Sequence, residues 1–233
     1  DPFIELTQGD SGAQNRVHVG TRALDAFRVC GRGWLAFGGS AVEQAPKEVD
    51  IENPLGALLS ACIGVAHSMR VAIGDEDLYE STVVSLWNLE TGAVAEGGPK
   101  LSPLDLGRVL IVGLGAVGSG IAHSLSFTPV RPEETVLVDE DSVDFPNLNR
   151  SPVFFAEDVT DGKKVEVVAA TVPGLRPAPN QVGIEDAVRN GVRIDEFDLV
   201  IPPANVPSAR TTIMGNTPPL LISASTGTQW DSY

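Results

Sequence analysis

Between Arg108 and Phe127 the chain sets a short apolar run, a glycine-rich turn and a helical pattern in direct succession. The run Arg108-Val109-Leu110-Ile111-Val112 is continuous rather than alternating, as befits a parallel strand covered on both faces. The turn Gly113-Leu114-Gly115-Ala116-Val117-Gly118 follows, and a helix is expected from about Val117 to Phe127. In G-x-G-x-x-G the first glycine permits the tight turn and the second lets backbone approach a phosphate. The third allows close helix–strand packing. The helix start adds free N–H groups and the positive end of its dipole, which together favour an anion. Gly113, Gly115, Ala116 and Gly118 are therefore candidate phosphate-contacting positions.

The same alternation continues downstream. Residues 135–139 form the next strand, with Asp139 at its C-terminal end, and residues 197–201 and 219–223 read as two more. A helical pattern over residues 162–172 lies between them. Strands alternating with helices argue for an α/β fold, a Rossmann-like, mostly parallel sheet with helices on both faces. Asp139 lies further from the loop than the roughly 20 residues typical of a dinucleotide fold. The extra length falls in residues 128–134. An acid in this place accepts hydrogen bonds from ribose hydroxyls, in a nicotinamide cofactor and in an adenosine nucleotide alike.

The first hundred residues read as a smaller α+β part. Residues 16–20 and 33–38 look like short strands. A helix over residues 55–73 opens with Asn53 as N-cap and Pro54 as first helical residue. It is apolar almost all round, which predicts burial between layers. Residues 81–89 are strand-like, and residues 91–100 read as a loop or linker. The expected boundary near residue 100 separates residues 1–100, a substrate-recognition region or degenerate half-domain, from a nucleotide-binding domain over residues 101–233.

Charge and composition exclude several partners. With 16 Lys+Arg against 31 Asp+Glu the formal net charge is −15, which argues against a general nucleic-acid or anionic-membrane surface. No uncharged apolar stretch reaches the roughly 20 residues of a spanning helix, and the first residues, without a basic region or following apolar run, are not expected to form a signal peptide. A cytoplasmic setting is expected. Cys30 and Cys62 are too few for a disulfide scaffold or an all-cysteine zinc site, and are expected to be small core residues. His18, His67 and His123 show no metal or triad spacing and are expected to be structural or surface residues.

The residues after the second strand narrow the choice of nucleotide. The run is Val138-Asp139-Glu140-Asp141-Ser142-Val143-Asp144-Phe145-Pro146-Asn147-Leu148-Asn149-Arg150, followed by Gly162-Lys163-Lys164-Val165-Glu166. A dehydrogenase has no evident need for D-x-D-x-V-x(3)-N-L-N-R. These motifs, with the late stretch Pro218-Pro219-Leu220-Leu221-Ile222-Ser223-Ala224-Ser225-Thr226-Gly227, resemble the ThiF/MoeB/HesA family, which includes the ubiquitin-activating enzymes. The resemblance covers about residues 106 to 228, and the front part, with its helix at 53–62 and Ser85-Leu86-Trp87-Asn88-Leu89, is similar to bacterial stand-alone ThiF-like proteins.

The resemblance implies ATP-dependent adenylation of a carboxylate, usually the C-terminal glycine of a ubiquitin-like or sulfur-carrier protein or a peptide. ATP and Mg²⁺ are the implied cofactors. By motif position Arg150 and Lys164 are the catalytic cations, with Lys163 the rival of Lys164. Asp139 would hold ribose, and Asp141 would orient the loop or approach the metal. Asn147, better matched than Asn149, would offer its amide to the nucleotide or stabilise its own turn. The resemblance also implies a homodimer or pairing with a close relative, helped by the apolar helix at 55–73.

The pattern departs from the family at one position above all. Counting back from Arg210 puts Asn205 where an Asp that helps place Mg²⁺ is expected, and a neutral amide is a weaker ligand for a hard cation. There is no C-x-x-C pair and no cysteine after residue 62. Arg16, Arg22 and Arg28 are the candidates for an arginine lent from the N-terminal region. These departures leave a non-catalytic ThiF-like scaffold as the alternative; an NAD(P)-dependent oxidoreductase, which the glycine motif alone also fits, is a further one. The helix at 53–62 resembles the family's late helix, which would make the front part a rearranged half-domain.

Overall fold

The computed structural model describes residues 17–19, 27–40, 52–74, 81–203 and 206–223. The chain divides into two compact units, Asp1–Leu101 and Ser102–Tyr233.

In the first unit β1 (Val17–Val19), β2 (Phe27–Arg32), β3 (Leu35–Gly39) and β4 (Thr82–Ser85) form one sheet in that order. β1 and β2 run parallel, whereas β2–β3 and β3–β4 are antiparallel. β2 and β3 are joined by a two-residue turn in which Gly33 has φ +57°, a conformation cheap only for glycine. The sequence reading missed β2, because two arginines interrupt its apolar pattern. Arg28 is nevertheless buried, with its guanidinium 5.2 Å from the centre of the Phe37 ring. Burial also raises the Cys30 thiol above its ordinary pKa, an effect partly offset by the charge of Arg28. The strand expected over 81–89 stops at Ser85. The Ser85 hydroxyl accepts from Trp87 and Asn88 N–H at 3.0 and 3.2 Å, closing a turn there.

Helix α1 (Leu55–Ala72) packs on β2 and β3 and corrects the expectation of burial between layers. Its buried positions are Gly56, Ser60, Gly64 and His67, two glycines, a serine and one imidazole. An alanine Cβ at Gly56 would lie 2.3 Å from the Leu35 carbonyl oxygen, so the helix rests directly on strand backbone. Ser60 adds a hydroxyl 2.5 Å from the Cys30 carbonyl. The opposite face leaves Val65, Met69 and Ile73 exposed. Cys62 is exposed with it and is not a core residue. By length and composition α1 reaches the lower range for crossing a bilayer, which the sequence reading had excluded. The N-cap is Pro54 rather than the expected Asn53, and the helix starts one residue later, at Leu55; the Asn53 side chain still accepts from Leu55 N–H at 3.1 Å.

The second unit begins with β5 (Leu104–Asp105), which pairs with β7 (Val130–Arg131) inside the segment read as extra length. Its main sheet is built from β6 (Arg108–Val112), β8 (Glu134–Val138), β9 (Pro177–Asn180) and β10 (Leu199–Ile201). The order is β10-β6-β8-β9, all parallel. Helices α2 (Ala116–Ser126), α3 (Lys164–Thr171), α4 (Ile184–Arg189) and α5 (Pro207–Gly215) fall between and after these strands.

Strand alternation assigns the helices to two faces. Val109, Ile111, Leu137 and Leu199 pack with Ala122 of α2 and Val165 and Val168 of α3. Leu110, Val112, Val138 and Val200 pack with Ile184 and Ala187 of α4 and Ala209 and Ile213 of α5. The expected sheet covered on both faces is therefore the observed one. Each large side chain so buried contributes ~1.5–3 kcal/mol. The expected strand over 219–223 is reduced to one parallel bridge between Val200 and Leu221, held by Val200 N–H to Leu220 O and Ile222 N–H to Val200 O.

His67 gives the first unit a pH dependence. Its ring lies parallel to Phe27 with centroids 3.6 Å apart, and its buried Nδ1 makes no hydrogen bond among the described residues. Burial first, and the nearby Arg70 second, lower its pKa below the ordinary 6.5. The unfolded chain therefore takes up this proton at a higher pH than the folded one. Stability from the neutral ring is full above about 6.5 and is lost as pH falls from there through the lower folded value. Thermal unfolding at a series of pH values should show His67→Gln losing less stability than wild type on acidification below about 6.5.

Candidate functional site

Strands β8 and β9 extend to one side of β6, while β10 lies on the other. Such a reversal of strand order opens a crevice beyond the carboxyl ends of the strands, where open α/β sheets bind ligands. The loop of residues 113–118 leaves β6 at this point.

The three glycines of the loop have separable roles. Gly113 has φ +94° and turns the chain out of the sheet, its N–H donating to Val138 O at 2.8 Å. Gly115 faces open space, with nothing within 4 Å of the position a Cβ would take. Gly118 faces the opposite situation, since a Cβ there would lie 1.9 Å from Gly113 O and 2.9 Å from Pro203 Cγ. The loop is thus open at its middle glycine and closed at its last. α2 begins at Ala116 with Gly115 as N-cap and no side-chain cap, which leaves its first N–H groups to be satisfied from outside. These features fit an anionic ligand at the loop.

Asp139 ties the loop down. Its Oδ2 accepts from Leu114 N–H at 2.5 Å and its Oδ1 from Asp141 N–H at 2.8 Å. The expected ribose-holding carboxylate is therefore also the brace between the glycine loop and the segment after β8. Each oxygen has a further lone pair for a hydroxyl donor.

Asp141 and Lys164 form an ion pair at 2.6 Å. The Lys164 side chain is 8% exposed and that of Asp141 62%, so the ammonium is buried against a carboxylate that still meets solvent. Pairing between the two segments makes this reproducible: Lys164 N–H donates to Asp141 O at 3.2 Å and Val143 N–H to Gly162 O at 2.8 Å. Lys163 points elsewhere, its Nζ donating to Ser142 Oγ at 2.9 Å. The two lysines are thereby separated, and Lys164 is the buried one.

The turn that carries Arg150 is closed by Asp144 and Asn147. Asn147 is buried, and its Oδ1 accepts from Asp144 N–H at 2.9 Å while Asp144 Oδ1 accepts from Phe145 N–H at 2.7 Å. The observed work of the Asn147 carbonyl is turn stabilisation. Arg150 is exposed, and its guanidinium makes no hydrogen bond or ion pair among the described residues. Asn149 is exposed beside it. Asn205 lies outside the described residues. The sequence reading missed Ser119, Ser151 and Pro203, which pack under or against the loop.

Among the described residues, no group of three or more His, Cys, Asp or Glu side chains is arranged to hold a metal ion. Asp141 Oδ1 carries no hydrogen bond among the described residues, which leaves a single carboxylate oxygen for a cation. The chain alone therefore does not cage Mg²⁺, although one carboxylate with ligand phosphates is an ordinary magnesium set.

The sequence model of the ThiF family matches residues 92–206. An uncharacterized protein of Sinorhizobium fredii, y4jF, is 29% identical over 101 residues, which are 42% of this chain and 20% of that protein. Escherichia coli MccB with ATP is similar at 21% identity and a TM-score of 0.41, over 51% of this chain and 37% of that one. The E. coli tRNA N6-threonylcarbamoyladenosine dehydratase TcdA in complex with ATP is similar at 24% identity and a TM-score of 0.43, over 53% of each chain. This chain thus spans about half or less of the length of each of these three proteins.

The glycine geometry makes a paired prediction. Gly115→Ala should leave the melting temperature unchanged, because its Cβ meets nothing and its φ of −68° suits alanine, yet it should fill the space a phosphate would approach. Gly118→Ala should lower stability by about 1–3 kcal/mol through overpacking against backbone. Calorimetric titration with ATP and thermal unfolding of both variants check this: Gly115→Ala should lose binding without losing stability.

Proposed function

We propose that this chain, whose residues 92–206 belong to the ThiF family, binds ATP over residues 113–118 and adenylates a carboxylate. The supporting observation is a single juxtaposition at the switch point of the sheet. An open phosphate loop stands beside a segment that carries one free cation, Arg150, and pairs with another that carries a buried cation, Lys164. The substrate we propose is the C-terminal carboxylate of a ubiquitin-like or sulfur-carrier protein or a peptide, in a cytoplasmic setting.

The chemistry follows from charge. A carboxylate oxygen attacks the α-phosphorus of ATP, forming the C–O–P bond of an acyl adenylate. The bond between the α-phosphorus and the bridging oxygen breaks, and pyrophosphate leaves with that electron pair. Two anions meet in this step, so the site must offset their repulsion and stabilise charge moving onto the leaving group. Backbone N–H groups at the start of α2 hold the ground-state phosphates, and Asp139 accepts from ribose while bracing the loop. Arg150 is free to engage phosphate oxygens. Lys164 brings a second charge once its attraction to Asp141 is shared with the phosphates. Asp141, with Asn205 by motif position, would hold Mg²⁺, which supplies charge neutralisation at the phosphates when bound.

Asn205 favours a second reading, a nucleotide-binding ThiF-like subunit without turnover. An amide in place of a carboxylate weakens the magnesium set. Asn205→Asp should raise Mg²⁺-dependent turnover if the chain is an enzyme with a weakened metal site, and should do nothing if it is a scaffold.

Pyrophosphate exchange into ATP, with a synthetic glycine-terminated peptide as the carboxylate, tests the assignment. Lys164→Ala and Arg150→Ala should each lower exchange by roughly 10²–10³-fold, the loss typical of removing one preorganised charge partner. ATP affinity should fall far less, because many backbone groups share the ground-state contacts. Asp139→Ala should show the reverse bias, losing ATP affinity first. Binding of NAD(P) in place of ATP in calorimetry would overturn the reading in favour of an oxidoreductase.

The exposed face of α1, with Val65, Met69 and Ile73, supports pairing of two copies of the chain. Sedimentation should show a dimer that Val65→Glu converts to monomer, and a monomer at every concentration of wild type would exclude it.

A further inference from the structure

We infer that Ser119 and Ser151 are positioning residues that lock the Arg150 segment to the phosphate loop. Ser119, on the first turns of α2, is completely buried. Its hydroxyl lies 2.7 Å from Gly115 O and 2.8 Å from Ser151 Oγ. Ser151 follows Arg150 directly in the chain and accepts from Val153 N–H at 3.4 Å. One hydroxyl has one proton, so the direction of the Ser119–Ser151 bond depends on where the Ser119 proton goes. With the Ser119 proton on Gly115 O, Ser151 must donate to Ser119. The sequence of donors then runs Val153 N–H, Ser151 O–H, Ser119 O–H and ends on the carbonyl of the loop's middle glycine.

That carbonyl belongs to the residue whose outer side is open. Gly115 O also accepts from Ser119 N–H at 3.0 Å, so one buried serine holds it with both its donors. At the other end, Arg150 N–H donates to Asn147 O at 3.2 Å, inside the turn closed by Asp144 and Asn147. Arg150 thus stands between two fixed points while its side chain remains exposed and without a partner among the described residues. A cation meant for a phosphate needs this arrangement. Its backbone must keep a constant distance from the loop, and its head must stay unengaged until the anion arrives. No single local pattern shows the lock, because residues 119 and 151 lie on different segments.

The inference takes its chemistry from the adenylation proposed above, but its geometry can be tested apart from it. Hydrogen exchange by mass spectrometry on the nucleotide-free full chain should show Ser151→Ala accelerating exchange in residues 113–119 as well as in 150–153. Ser151→Thr, which keeps the hydroxyl, should restore the wild-type pattern. Acceleration confined to 150–153 would overturn the lock. In pyrophosphate exchange, Ser151→Ala should lower the rate about tenfold with little change in ATP affinity. In an Arg150→Ala background the same substitution should have no further effect. An equal further loss in that background would show that Ser151 does not act through Arg150. If wild type binds no ATP, the adenylation reading falls, and hydrogen exchange still decides whether the two segments are coupled. Ser119→Ala, measured by the same two methods and by thermal unfolding, distinguishes loss of the lock from loss of fold.

Discussion

The carboxylate of Asp139 is the constraint on which the rest of the site depends. It closes β8 at the carboxyl edge of the sheet and takes one N–H from the glycine loop and one from the segment that leads to Asp141. Both loops emerge from adjacent parallel strands, β6 and β8, whose register sets Val112 opposite Val138. The residues after those positions therefore leave the sheet side by side. A carboxylate is the apt group there, because it accepts two bonds from backbone donors and still has lone pairs to spare. Charge-assisted bonds of this kind are the stronger ones. Through Asp141 the brace reaches Lys164, and through Leu114 it reaches the open middle of the loop. Loop shape and cation placement are consequently coupled through one side chain.

Much of this was legible in the sequence, for a reason that can be stated. Glycine positions carry backbone requirements that no other residue meets, so the spacing at 113, 115 and 118 announced turn, opening and close approach, and the geometry separates them in that order. The choice of Lys164 over Lys163 rested on motif offset, and the structure buries Lys164 while leaving Lys163 on Ser142. The bracing role of Asp139 was not legible, because a carboxylate that meets a ligand and one that braces a loop look alike in one dimension. Nor was the Ser119–Ser151 contact, since hydroxyl pairs obey no spacing rule across separate segments.

The fold divides in the same way. Continuous apolar runs found β6 and β8, and the helices between them followed from their periodicity. β9 was missed because its sequence, Pro-Ala-Pro-Asn, lacks the apolar run that marks a buried strand and holds two residues that normally disfavour one. Its position at the end of the order β10-β6-β8-β9 explains the tolerance, since an outer strand need not donate along its free side. Helix α1 was misjudged for the opposite reason. Hydrophobicity almost all round suggested burial between layers. The structure buries glycine and serine instead, because close approach to β2 and β3 leaves no room for a side chain at Gly56. Small residues are read from sequence as absence of a core face, when here they are the core face.

The charge balance of the site carries the last step. The chain has a net charge of −15, and Asp139, Glu140 and Asp141 stand together at the edge where the proposed nucleotide would bind. Left alone, three carboxylates would repel phosphate. The geometry answers each differently. Asp139 is turned onto two backbone N–H groups, which disperse its charge into the loops. Glu140 turns aside, its Oε2 lying 3.1 Å from where a Cβ at Gly183 would sit, beyond the end of β9. Asp141 is neutralised by Lys164, which is itself the first residue of α3, where the helix dipole disfavours a cation. Each member of that pair thus makes the position of the other tolerable. A buried ammonium stripped of its carboxylate is strongly destabilising, so Lys164 is not free to leave Asp141 unless another anion takes its place. Phosphate is such an anion, and a cation on the freed carboxylate would complete the exchange. The acidic edge therefore does not oppose a nucleotide. It holds one cation, Lys164, in store on Asp141, while Arg150 stands exposed and without a side-chain partner among the described residues, so that on the proposed reading engaging Lys164 requires the ligand to be present.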